Sequence, residues 1–248
     1  MRTTSGIGFD VSGQGPPLVL HPGMYQLGEH WTRSGYTSRL TDGHTVITVD
    51  PLGVGSGAAP RDPAAYSLAR RAESVTAVLD EVGADEAAFW GYSLGALTGY
   101  AVALHAPERL TCLVAGAFDP IGGFRTAMEP MLADLGLPAD VDPYPVVESA
   151  AAASPVVAAV LDGSDRVALR ANFDAFSAEP GVHAELADSD VPMLMHAGDA
   201  DPWHDPMRNF AARTGTPFFT VPDADHVGCW RRPDDVLARV LPFLADQA

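Results

Sequence analysis

Three patterns in the sequence predict an α/β fold built on a mostly parallel sheet with helices on both faces. Short apolar runs recur as candidates for buried strands, among them Leu18-Val19-Leu20, Thr45 to Val49, Ala87 to Trp90, Leu110 to Phe118 and Met193 to His196. Between the early runs, apolar residues return every three or four positions, which marks helices with one buried face. This alternation of strand and helix implies parallel strands joined by right-handed crossovers. The third pattern is an interruption. From Asp119 to Asp190 only helical segments broken by prolines and glycines follow one another, a stretch too long for a plain connection. It is expected to form a helical cap, residues 119–190, over the C-terminal edge of a sheet domain made of residues 1–118 and 191–248.

Taken in order, Ile7, Phe9 and Val11 alternate as in a half-buried strand, and Gly13-Gln14-Gly15-Pro16-Pro17 makes a turn. Leu18-Val19-Leu20 is the first fully buried strand and ends in His21-Pro22-Gly23-Met24. A helix is expected from Glu29 to Leu40, and a strand from Thr45 to Val49 that stops at Asp50-Pro51. Leu68, Ala72, Val75, Leu79 and Val82 form one stripe of a helix over 67–82, with Gly83 as its stop. The next strand reaches Ser93 and turns at once into a helix carrying Ala96, Leu97, Tyr100, Ala101 and Leu104. In the interrupted region, helices are expected over 124–135, 145–161 and 166–176. The strand at Met193 to His196 gives way to Ala197-Gly198-Asp199-Ala200-Asp201-Pro202, and the last strand, from Pro217 to Val221, to Pro222-Asp223-Ala224-Asp225-His226. A final helix begins near Pro233 and turns Val236, Leu237, Val240, Leu241 and Leu244 inward.

Composition narrows the function classes. Of the 248 residues, 47% are hydrophobic, enough for a substantial core around one sheet. Thirty-two acidic against fifteen basic side chains give a formal charge of −17, which repels nucleic acid and anionic membranes. No membrane span or signal peptide is evident, so a cytoplasmic protein is expected. Cys112 and Cys229 make no metal-ligand spacing and are expected as reduced thiols, with Cys112 in the core.

Polar residues that follow parallel strands carry the chemistry, because ligands bind beyond the carboxyl ends of such strands. Gly91-Tyr92-Ser93-Leu94-Gly95 places a serine at a sharp strand-to-helix turn, where small flanking residues let neighbouring backbone approach. A serine hydroxyl is a weak nucleophile at neutral pH. It needs a base with pKa near 7, and that base needs an acid to fix its tautomer. Ser93, an aspartate of the 199–201 loop and His226 supply these types in the order Ser, Asp, His. The chain thereby resembles the α/β-hydrolase fold family over nearly its whole length: Gly91 to Gly95 matches the nucleophile elbow, Asp50 to Ser56 the Asp-x-x-Gly-x-Gly-x-Ser loop, and Gly198-Asp199-Ala200-Asp201 the acid loop.

The resemblance implies Asp201 as the acid, with Asp199 and Asp119 as alternatives, and His226 as the base. His21, His196 and His204 are left as structural residues. It implies Leu94 N–H as one oxyanion donor and either Gly23 or Met24 as the other, since Pro22 has no N–H to give. Tyr92, Phe118, Phe124, Met128 and Trp203 are the expected substrate-facing residues, and Phe118, Phe124, Met128, Met131, Phe173 and Phe176 are the apolar side chains expected to line a pocket under the cap. The implied activity is ester hydrolysis through an acyl-enzyme on a small to medium acyl substrate, with no metal or organic cofactor. The same triad would serve a thioester, lactone or carbon–carbon bond, or peracid formation. Epoxide and haloalkane cleavage are disfavoured, because those relatives carry Asp where Ser93 stands. A small-molecule binding protein on the same scaffold is the rival from another class. The partner expectations are an acyl substrate, neither nucleic acid nor membrane, and dimer contacts through the Ala-rich cap.

Overall fold

The computed structural model describes residues 1–55 and 57–247, so Ser56, the last residue of the Asp50 to Ser56 motif, lies outside the described residues. Seven strands form one sheet: β1 Phe9–Gly13, β2 Pro17–His21, β3 Thr45–Val49, β4 Ala87–Tyr92, β5 Leu110–Gly116, β6 Met193–Gly198 and β7 Phe218–Val221, in the order β1-β3-β2-β4-β5-β6-β7. Only β1 runs antiparallel, against β3, and every other pairing is parallel. The register aligns the strand ends: His21 lies beside Gly91, Tyr92 beside Gly116, Gly116 beside His196, and Gly198 beside Val221. One edge of the sheet therefore presents the last residues of five strands in a row.

Period-two alternation sorts the strand side chains onto two faces. Val19, Phe89, Leu113 and Ala115 point to one core, where α3 (Leu68–Val82), α4 (Leu94–His105) and α10 (His204–Thr214) contribute Val75, Leu79, Leu97, Tyr100, Met207 and Phe210. Leu18, Leu20, Trp90 and Val114 point to the other, covered by α1 (Glu29–Arg33), α2 (Thr37–Leu40), α11 (His226–Trp230) and α12 (Pro233–Ala245). There Trp31 packs edge-on to Trp90 at 5.1 Å and to Trp230 at 4.6 Å between ring centroids. Such contacts add about 1 kcal/mol each beyond burial.

Between β5 and β6 stand α5 (Arg125–Asp134), α6 (Tyr144–Ala152), α7 (Pro155–Asp162), α8 (Arg166–Ser177) and α9 (His183–Ala187), with no strand among them. Their apolar residues enter two clusters. Phe124, Met128, Phe173 and Phe176 join the core beneath α4, while Val160, Leu161 and Leu169 gather around Tyr25 and Val54. Gly55 N–H donates to Ser164 Oγ at 2.8 Å, and Asn172 Nδ2 to Leu52 O at 3.1 Å. The block is thus tied to the loops that leave β2 and β3.

Three local expectations give way. The single helix over 29–40 is two short ones, because Gly35 takes a left-handed φ of 84° between them. The helix over 145–161 breaks before Pro155, which forces Ser154 into an extended conformation with ψ 120°. Short helices α9 and α11 fall where no helix is expected, since five residues are too few to show a period.

Candidate active site

Ser93 joins β4 to α4 with φ 57° and ψ −117°, a left-handed conformation that strains a residue bearing Cβ by about 1–3 kcal/mol. The surroundings hold it there. Its N–H donates to Gly116 O at 2.8 Å, and its carbonyl accepts from Ala96 N at 2.9 Å and Leu97 N at 3.2 Å. The flanking glycines are steric necessities: a Cβ on Gly91 would enter the Gly95 carbonyl, and one on Gly95 the His21 carbonyl. Ser93 is buried but still 8% exposed. Leu94, the first residue of α4, has an N–H with no intrahelical acceptor.

The loop after β2 approaches the serine from one side, and a Cβ built on Gly23 would lie 3.4 Å from Ser93 Cβ. Gly23 N–H is already donated to Gln26 Oε1 at 3.1 Å, while Gln26 N–H returns to Gly23 O at 3.3 Å. Of the two residues left open as oxyanion donors, the geometry therefore occupies Gly23. Gln26 carries no motif, and nothing in the sequence pointed to it. Tyr25, next to Met24, takes a φ of 60° and buries its ring, its hydroxyl without a hydrogen-bond partner.

From the other side come the loops after β6 and β7. Gly198 lets them meet, since a Cβ there would enter the Ala224 carbonyl. Ala200 N–H donates to Ala224 O at 3.0 Å, and Ala224 N–H to Asp199 Oδ1 at 3.1 Å, so Asp199 is the brace between the loops. Asp201, 4% exposed, receives His226 Nδ1 on Oδ2 at 2.8 Å and Trp203 N–H on Oδ1 at 3.0 Å. Asp119, the third candidate acid, spends its carboxylate on Ile121 N, Gly122 N and Thr126 Oγ1, at 2.7–2.8 Å, where it shapes the turn before α5.

His226 opens α11, which Asp225 caps by accepting Gly228 N–H at 2.6 Å. Its backbone carbonyl accepts the Tyr92 hydroxyl at 2.6 Å, and its ring lies 5.2 Å from the Tyr92 ring and 5.0 Å from Trp203. Tyr92, immediately before Ser93, thus links the serine's strand to the histidine's helix. Expected to face substrate, Tyr92 is buried with its hydroxyl engaged on that carbonyl. Phe118 is also fully buried, packed between Phe176 at 5.2 Å and Trp203 at 5.3 Å. Phe124 packs edge-on to Phe173 and Phe176, Met128 sits in the same cluster, and Trp203 Nε1–H donates to Gly123 O at 2.8 Å.

The three histidines set aside as structural are enclosed by the fold. Burial keeps His21 neutral, its pKa pushed down to about 4, and its Nδ1 lies 3.1 Å from Pro22 O. His204 bonds Asp205 and Thr220. His196 is the most enclosed of the three. It is fully buried, with Nδ1 3.7 Å from Cys229 Sγ, Nε2 unpartnered, and a pKa pushed down to about 3.

No helix among the described residues is long and apolar enough to cross a membrane. Residues 16–137 match the family model for the alpha/beta hydrolase fold. A relative from Pseudomonas savastanoi pv. phaseolicola that carries the provisional name carbamate hydrolase RutD is 35% identical over 96 residues, 38% of this chain and 36% of its own length. The chain thus spans little more than a third of that relative. Among solved structures, a hydrolase from Pseudomonas aeruginosa PA01 superposes with a TM-score of 0.79 at 26% identity, covering 98% of this chain and 97% of its own. The enol-lactonase from Burkholderia xenovorans LB400 superposes at 0.75 with 23% identity, covering 98% of each chain, a likeness of fold. With the elbow, the sheet order and the matched model in agreement, the chain belongs to the α/β-hydrolase fold family.

Proposed function

We propose that the chain is a serine hydrolase that cleaves a carboxylic ester of a small to medium acyl substrate through an acyl-enzyme. The observation that carries this reading is the corner in which strained Ser93 adjoins Tyr92, Tyr92 holds His226, and His226 Nδ1 meets Asp201 at 2.8 Å. With Nδ1–H turned to the carboxylate, Nε2 is left as the base. Ser93 Oγ attacks the carbonyl carbon and its proton passes to His226 Nε2. The ester C–O bond then breaks, and the same proton leaves with the alkoxide oxygen as an alcohol. Water adds to the acyl carbon by the same route, giving the acid and restoring Ser93. The oxyanion is held by the N–H groups of Leu94 and Met24, the latter because Gly23 N–H is committed to Gln26. Each such donor is worth about 3 kcal/mol in the transition state.

The test is fluorophosphonate labelling followed by intact mass on the native chain and on Ser93→Ala. One adduct on the native chain and none on the variant is the expected result. Absence of an adduct on folded native protein refutes an activated Ser93.

A further inference from the structure

The chain contains no lysine, so all fifteen of its basic side chains are arginines, in a molecule with thirty-two acids. Most described arginines with an ionic partner find it at the surface, as in Arg109 with Asp80 and Arg61 with Asp165. Arg71 does the opposite. It sits in the first turn of α3, is 4% exposed, and is the one arginine buried among the described residues. Its Nη2 donates to Asn172 Oδ1 at 2.8 Å and its guanidinium lies 5.9 Å from the Tyr66 ring centroid. Among the described residues no carboxylate comes within 4.0 Å of it. Asn172 is neutral, 1% exposed, and uses its own Nδ2 on Leu52 O. Glu179 acts on the Arg71 charge only from beyond that distance. A guanidinium carries five N–H donors, and a buried charge with no direct ion pair is costly to fold around. Desolvation pulls the Arg71 pKa down only to about 10, so the group stays charged at neutral pH.

The position of this cation relates it to the site. Asn172, which holds it, is followed on α8 by Phe173, whose ring packs on Phe124 in the cluster that continues through Phe176 and Phe118 to Trp203 and His226. After burial, the Arg71 charge contributes to holding His21 neutral. His21 ends β2, one residue before the Pro22-Gly23 turn that touches Ser93. In a parallel sheet the first turn of the helix that follows a strand stands at the strands' C-terminal edge, so Arg71 in the first turn of α3 is on the same edge as Ser93, with α8 packed against it.

We propose that Arg71 is an anchor for a carboxylate carried on the acyl portion of the substrate, so that the enzyme acts on half-esters of dicarboxylic acids or on carboxylate-bearing lactones. This rests on the serine hydrolase reading of the same site. A planar carboxylate matches the guanidinium fork in two parallel hydrogen bonds and supplies a direct ion pair.

The experiment compares the p-nitrophenyl half-ester of succinic acid with p-nitrophenyl butyrate, close in shape but neutral, on the native chain and on Arg71→Met and Arg71→Lys. The native chain is expected to favour the half-ester at least tenfold in kcat/KM, with that ratio falling at least tenfold in Arg71→Met and less in Arg71→Lys. Thermal melting with glutarate as probe gives a readout that does not need turnover. Glutarate should raise the native melting temperature and leave that of Arg71→Met unmoved. A native chain indifferent to the acid, or a variant that keeps the preference or the glutarate shift, overturns the proposal. So does an Arg71→Met chain that unfolds while Arg71→Lys folds without responding to glutarate, since the arginine is then a structural tie. If neither ester turns over, the nucleophilic reading fails, and the glutarate comparison alone decides Arg71.

Discussion

Tyr92→Phe isolates the link between the two halves of the site. The substitution removes one oxygen and takes from the His226 carbonyl the hydroxyl it accepts at 2.6 Å in a part-buried setting, while the carbonyl keeps its place in the first turn of α11. Losing one hydrogen bond of this kind costs about 1 kcal/mol. At roughly 2–4 °C per kcal/mol for a chain of this size, the melting temperature should fall by about 2–4 °C. The kinetic effect is larger in kind. His226 keeps its bond to Asp201 but loses the anchor of its own backbone, and a displacement approaching 1 Å of a catalytic group can cost about a hundredfold in rate. Steady-state kinetics on p-nitrophenyl butyrate should show kcat reduced about 10- to 100-fold with KM changed less than about twofold, because the lost hydroxyl is spent on the His226 backbone. A raised KM with unchanged kcat would return Tyr92 to the substrate-facing role expected from sequence. A melting loss with kcat intact would make the hydroxyl a matter of stability only. Either result refutes the positioning argument.

Two further outcomes follow from the same geometry. Gly91→Ala drives a methyl into the Gly95 backbone, so β4 and α4 must separate. A loss of about 3 kcal/mol or more in urea unfolding is expected, with loss of fluorophosphonate labelling, and a native-like midpoint would refute the steric reading of the elbow. His21 and His196 have folded pKa values of about 4 and about 3, below the unfolded value near 6.5, so the unfolded chain binds protons first on acidification and stability is lost from about pH 6.5 downward. Between pH 7 and pH 5 each costs roughly 2 kcal/mol, offset in part by Asp50 and Glu179, whose carboxyls burial pushes upward. A urea-derived stability that does not fall between these two pH values would show that the histidines are not held neutral.

Strand and helix periods survive in the amino-acid order because they are local. Val19 and Leu20 face opposite cores in the structure as their alternation requires, and Gly91 and Gly95 announce the elbow because only a missing side chain permits that backbone crossing. Ser93, Asp201 and His226 stand at strand ends, and parallel register brings those ends to one edge. Partner choice is not local. Gly23 and Met24 remain equal as oxyanion donors until folding brings Gln26 Oε1 onto one of the two N–H groups. Asp119, Asp199 and Asp201 are alike as carboxylates until their surroundings assign one to a turn, one to a loop brace and one to His226. Tyr92 reads as a pocket residue until its hydroxyl is seen on a carbonyl 134 positions away. Arg71 lies on a helix in a run with Arg70, as any surface arginine could, and only the packing of α8 over α3 turns it into a buried cation without a direct ion pair. Short-range sterics and periodicity are written into neighbouring residues. Which donor meets which acceptor depends on distances that exist only after the chain has closed on itself.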